Sequence, residues 1–147
     1  MIDPDIINDA IVLFQDSARR PDYVVNTGYP LGFDVEVLSF EVLERAWTQD
    51  HNATTREHVT TYIARHPEIF VIEELPCPET WSSMRLKADT IEDFQLLFKI
   101  CREFGDSPFG WRQVSELLKK HRNWLRINSH IRQNRVPPEP GQAVRVS

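Results

Sequence analysis

Asp34-Val35-Glu36-Val37-Leu38-Ser39-Phe40-Glu41-Val42-Leu43-Glu44-Arg45-Ala46-Trp47 changes its period in the middle. Up to Leu38, polar and apolar residues alternate, the period of a strand with one wet face. From Phe40 onward the apolar residues Val42, Leu43, Ala46 and Trp47 recur at helical spacing, and Ser39 is placed to cap that helix. A strand that hands over to a helix, in a chain where the same alternation recurs, predicts an α/β or α+β domain.

Working outward gives the other elements. Asp3 and Pro4 read as an N-cap with proline at the first helical position, opening a helix through Ile6, Ile7, Ala10, Ile11 and Phe14 to about Ala18. Residues 22–26 are short and β-branched, hence a strand, and residues 27–32 form a turn. Thr54 and Glu57 have capping-box spacing, predicting a helix to about His66 that buries Val59, Tyr62 and Ile63 and stops at Pro67. Phe70-Val71-Ile72 reads as the central strand, broken by Pro76-Cys77-Pro78, and Met84 to Lys87 as another short strand. Thr90 and Asp93 form a second capping box, before a helix whose apolar face is Ile91, Phe94, Leu97, Phe98, Cys101 and Phe104, with Gly105 at its end. Trp111 to Lys120 is a helix with Val114, Leu117 and Leu118 inside, and Trp124 to about Gln133 a last short one. Residues 1–133 thus form one domain, and the proline-containing segment 134–147 is expected to be a flexible tail.

Composition narrows the function classes. The 147 residues are 41% apolar and 27% charged, as expected for a globular core. A net charge of −5 argues against a partner that is a nucleic-acid polymer, though not against a single nucleotide. No apolar run is long enough to cross a membrane, and the acidic start Met1-Ile2-Asp3-Pro4-Asp5 lacks the basic region of a secretory signal. Cys77 and Cys101 form no CxxC pair, so the expected setting is the reducing cytoplasm. The histidines are not spaced as a metal cluster, and there is no glycine-rich phosphate loop, GxSxG or HExxH.

Three groups of residues suit binding chemistry. Asp89 follows an apolar stretch and precedes a helix, where a carboxylate either grips a hard cation such as magnesium or favours the helix N-terminus electrostatically. Asp34 and Glu36 share one face of their strand, either a polar ligand pocket or a solvated face. Arg56, Glu57 and His58 open a helix, where the arginine and free amides could face an anion, while Glu57 has its capping role.

At these residues the chain resembles a known family. Tyr29-Pro30-Leu31-Gly32-Phe33-Asp34-Val35-Glu36-Val37 followed by Ser39-Phe40-Glu41 resembles the central signature of cytidylyltransferases of the spore coat polysaccharide biosynthesis type. Arg56-Glu57-His58-Val59-Thr60 with Tyr62-Ile63 and His66-Pro67-Glu68 resembles the next block, and Arg85-Leu86-Lys87-Ala88-Asp89-Thr90 with Glu92-Asp93-Phe94 the one after. Ile2-Asp3-Pro4 resembles the end of a Gly-Asp-x-Pro-Leu-Ile-Asp-Pro block, and Asn128 with Ile131-Arg132-Gln133 the family's tail.

The resemblance implies a partial Rossmann-like nucleotide-diphosphosugar transferase fold, its C-terminal half, with the glycine- and arginine-rich nucleotide loop lying in the other half. It implies transfer of CMP from CTP to a sugar for surface polysaccharide, as in the CMP-sugar synthetases, with Mg2+ as cofactor. It places Asp89 at the metal and Asp34, Glu36, Arg56, Glu57 and His58 near the sugar. The expected partners are CTP, a sugar, and either an N-terminal half or a second copy of the chain. The competing expectation is a non-catalytic dimerisation or docking module derived from the same fold.

Overall fold

The computed structural model describes residues 3–58, 60–79 and 81–131, with the side chain of Thr54 outside the description. The element order is α1 (Pro4–Asp16), β1 (Tyr23–Thr27), β2 (Glu36–Leu38), α2 (Phe40–Gln49), α3 (Ala53–Arg56), α4 (Thr61–Arg65), β3 (Ile72–Pro76), α5 (Ile91–Phe104), α6 (Trp111–Lys120) and a 3-10 helix (Arg122–Arg126). This is a mixed α/β architecture around a small sheet. The expected tail 134–147, Val59, and the far end of the last expected helix lie outside the described residues.

The sheet has the order β2-β1-β3. β1 pairs antiparallel with β2 (Val24 opposite Val37) and parallel with β3 (Val24 opposite Glu73). The central strand is therefore β1, not the 70–72 segment that sequence favoured. β3 begins at Ile72 and runs to Pro76, which is tolerated because the strand lies at the sheet edge. Phe70 is buried, but ahead of the strand.

Two cores flank the sheet. The larger joins Ile6 of α1, Phe33, Leu86, Leu96 and Ile100 of α5, and Trp111, Val114 and Leu118 of α6. The smaller joins Tyr23, Val42, Ala46, Ile63 and Phe70. Asp3 ties the chain start to the first of these: one carboxylate oxygen caps α1 at the Asp5 N–H (2.9 Å), and the other accepts from the buried Trp111 N–H (2.7 Å). Ser39 caps α2 at Val42 N–H, and the Thr90–Asp93 capping box forms.

Three further expectations fail. The helix expected over 54–66 is two short pieces, α3 and α4, separated by a turn. Four β-branched threonines there weaken helix formation, and Glu57 lies past the end of α3 instead of serving as its capping acid. Asp50 takes the local role, accepting from Asn52 N–H (2.9 Å) and from the Thr55 hydroxyl (2.7 Å). Trp47 was expected inside but is 65% exposed. On α5 the buried stripe is Asp93, Leu96 and Ile100, while Ile91, Phe94 and Phe98 face outward.

Candidate functional site

Residues 31–34 and 84–87 run side by side. Leu31 and Arg85 form a parallel bridge, with Leu31 N–H on the Met84 carbonyl (2.9 Å) and Leu86 N–H on the Leu31 carbonyl (2.7 Å). The strand expected at Met84–Lys87 is reduced to this one bridge. Gly32 makes the approach feasible. Its φ is +105°, and a Cβ there would lie 2.3 Å from the Leu86 carbonyl oxygen. One step on, Lys87 Nζ lies 3.8 Å from Asp34 Oδ2, which also accepts from the Gly32 N–H (2.9 Å).

Asp34, Val35, Glu36, Val37 and Leu38 border one open groove of about 450 Å3 together with Ile7 and Ile11 of α1. Glu36 has further ties: its carboxylate accepts from the Thr60 hydroxyl (3.1 Å) and interacts with the buried Tyr23 phenol. Burial first, and Glu36 second, push the Tyr23 phenol well above its ordinary range.

Arg56 does not line this groove. Its guanidinium donates to the Trp47 carbonyl (3.0 Å) and to the Asp50 carbonyl, and lies 3.6 Å from the Trp47 ring centroid. It thus sits at the C-terminal end of α2, where a cation complements the exposed carbonyls. Glu57 and His58 are exposed in the turn between α3 and Thr60, so Thr60 is what connects that turn to Glu36.

Asp89 sits just ahead of α5 with its side chain 60% exposed. Its Oδ2 accepts from Arg85 Nη2 at 2.8 Å. Behind it is a buried cluster. Arg85 donates to Asp93 from Nε (3.0 and 3.1 Å) and from Nη2 (2.8 Å). Asn128 Nδ2 donates to Asp93 Oδ1 and to the Arg85 carbonyl, both at 2.8 Å. Asp93 Oδ2 also accepts from the backbone N–H groups of Asp89 and Thr90 (3.2 Å each). The Arg85 hydrogen bonds, with Asn128 and the backbone donors, hold the Asp93 carboxyl far below the usual carboxylate range against the opposing effect of burial. Arg85 is raised in turn by Asp93.

Sequence reading assigned Asp93 only its capping role and assigned Arg85 and Asn128 none. The available signal was the spacing of Arg85, Asp89 and Asp93 at four-residue steps, one cation followed by two carboxylates. As a magnesium ligand, Asp89 fits a one-oxygen share, since Oδ2 is on Arg85 and the side chain is open to solvent. Magnesium at phosphate sites commonly takes one or two carboxylates beside phosphates and water. Among the described residues, no group of three ligating side chains makes a closed cage.

No family model matches the chain. It is 37% identical over 114 residues (76% of this chain, 47% of the relative) to the uncharacterized protein MJ1063 of Methanocaldococcus jannaschii. It is 29% identical over 110 residues (73% of this chain, 45% of the relative) to the spore coat polysaccharide biosynthesis protein SpsF of Bacillus subtilis. A solved cytidylyltransferase from Leptospira borgpetersenii superposes with a TM-score of 0.79 at 27% identity, over 84% of this chain and 53% of that one. The chain is cytidylyltransferase-like. It spans about half the length of the curated relatives it matches. The expected partial α/β transferase fold is thereby shown as well. No helix among the described residues is long and apolar enough to cross a membrane.

Proposed function

We propose that this chain forms the sugar- and metal-side part of a nucleotidyltransferase that moves CMP from CTP to a sugar for surface polysaccharide, in the cytoplasm. The likeness to the Leptospira cytidylyltransferase carries the reading. In the reaction a sugar hydroxyl attacks the α-phosphorus, a new P–O bond forms, and the bond to the leaving pyrophosphate breaks. Catalysis of this kind is mostly positioning and charge stabilisation. Magnesium, when bound, would neutralise charge on the phosphate oxygens, with Asp89 as this chain's ligand. Asp34 and Glu36, both in the lining of the groove with Ile7 and Ile11, accept hydrogen bonds from sugar hydroxyls. Glu57 and His58 stand exposed in the turn before Thr60, and Arg56 serves α2.

The test is calorimetry with CTP and Mg2+ on the chain, alone and mixed with the N-terminal half of a relative. Heat of binding in either arm, lost in Asp89→Asn, is the expected result. Silence in both arms refutes the enzyme reading.

A second reading, a docking module, is favoured by one observation: Ile91 (68% exposed), Phe94 (59%) and Phe98 (53%) form an uncovered apolar stripe on α5. The occupant this reading names is a second copy packed antiparallel, which sets the acidic first turn (Glu92) against the partner's basic last turn (Arg102). Sedimentation showing a dimer that Phe98→Glu dissociates supports it. A monomer at all concentrations excludes it.

A further inference from the structure

We infer that Arg85, Asp93 and Asn128 are positioning residues that fix Asp89 as a one-oxygen ligand for a divalent cation. The cation itself rests on the reading above. What goes beyond that reading is the device behind the ligand.

An exposed aspartate samples several rotamers and offers either oxygen or both. Here Arg85 Nη2 stands between Asp89 Oδ2 and Asp93 Oδ2, 2.8 Å from each, so one oxygen of Asp89 is held and the other remains to meet an ion. Bringing a guanidinium to a cation ligand would ordinarily repel the cation. The fully buried Asp93 removes that cost, because its charge cancels that of Arg85 and leaves Asp89 with its own. Asp93 also grips the Asp89 backbone through its N–H. Asn128, buried and donating to both Asp93 and the Arg85 carbonyl, locks the pair from the C-terminal side. Side chain and backbone of Asp89 are thus set by one unit. Arg85 orients the carboxylate, Asp93 compensates the charge of Arg85, and Asn128 clamps the two together.

The experiment is Mn2+ titration of the whole chain followed by water-proton relaxation, well below the melting temperature of every variant. Wild type binds, and Asp89→Asn loses the enhancement. Asp93→Asn keeps the size and backbone acceptor of the side chain but removes the buried charge that offsets Arg85, and weakens Mn2+ about fivefold to tenfold. The double variant Arg85→Gln with Asp93→Asn removes both charges and recovers affinity to within about threefold of wild type. A merely structural cluster predicts the opposite, because the double variant loses more hydrogen bonds than the single. Equal affinity for Asp93→Asn and wild type, or a double variant weaker than Asp93→Asn, overturns the inference while leaving Asp89 as a ligand. Absence of Mn2+ binding by wild type, or unchanged binding in Asp89→Asn, overturns the cation reading and the inference with it.

Discussion

Replacing Gly32 with alanine tests how tightly the two motif segments must abut. Two costs add at this position. The backbone φ of +105° is one that an L side chain rarely adopts, worth about 1–3 kcal/mol of strain. The new Cβ would also sit 2.3 Å from the Leu86 carbonyl oxygen and 2.7 Å from its carbon, so the 85–87 backbone must retreat. That retreat loosens the two bridge hydrogen bonds, Leu31 N–H to Met84 and Leu86 N–H to Leu31, each worth about 1 kcal/mol net. The expected total is about 3–5 kcal/mol, a large share of the stability of an ordinary domain and a fall in Tm of roughly 6–20 °C. Gly105→Ala is the control: its φ of +57° gives similar strain, yet no atom lies within 4 Å of the new Cβ. Urea unfolding of both variants, followed by circular dichroism, isolates the contact from the strain. A Gly32→Ala cost within about 1 kcal/mol of the Gly105→Ala cost would falsify the close-approach argument.

Other outcomes follow from the same geometry. Asp93 has a lower pKa folded than unfolded, so its stabilisation is complete above the unfolded value of about 4 and declines as pH falls toward the folded one; the urea midpoint of wild type should drop below about pH 4 more steeply than that of Asp93→Asn. Asp3→Ala removes a helix cap and leaves the buried Trp111 N–H without its acceptor, and should cost about 2–3 kcal/mol by denaturant titration. Arg56→Ala should cost no more than about 1 kcal/mol, change Trp47 fluorescence, and leave binding in the Asp34–Glu36 groove unaltered; a lost sugar response would return Arg56 to the pocket.

The parts of this fold that sequence revealed are those fixed by local rules. Ser39, Thr90 and Asp3 cap the helices expected of them, because an N-cap depends on the next few residues alone. The centrality of β1 and the side-by-side run of residues 31–34 and 84–87 were not legible as geometry. Both depend on pairing between residues about fifty positions apart, which no local pattern encodes. The contacts of Arg56 with the α2 carbonyls were not legible either, because a cation that opens one helix can equally close the one before it.

The error on α5 has a physical cause that also explains the site. Hydrophobic periodicity picked the Ile91, Phe94 and Phe98 side as the inner face, because a carboxylate counts as polar wherever it stands. Asp93, however, has to turn inward to meet Arg85 and Asn128, and a helix fixed in azimuth by its third residue has no freedom left further along. Positions three and seven residues on, Leu96 and Ile100, then follow Asp93 into the core, and Phe94 and Phe98 are carried outward. One buried ion pair therefore decides which face of a fourteen-residue helix is wet. The polar cluster behind Asp89 and the uncovered aromatic stripe on α5 are two ends of the same rotation, so a variant that releases Asp93 should alter both.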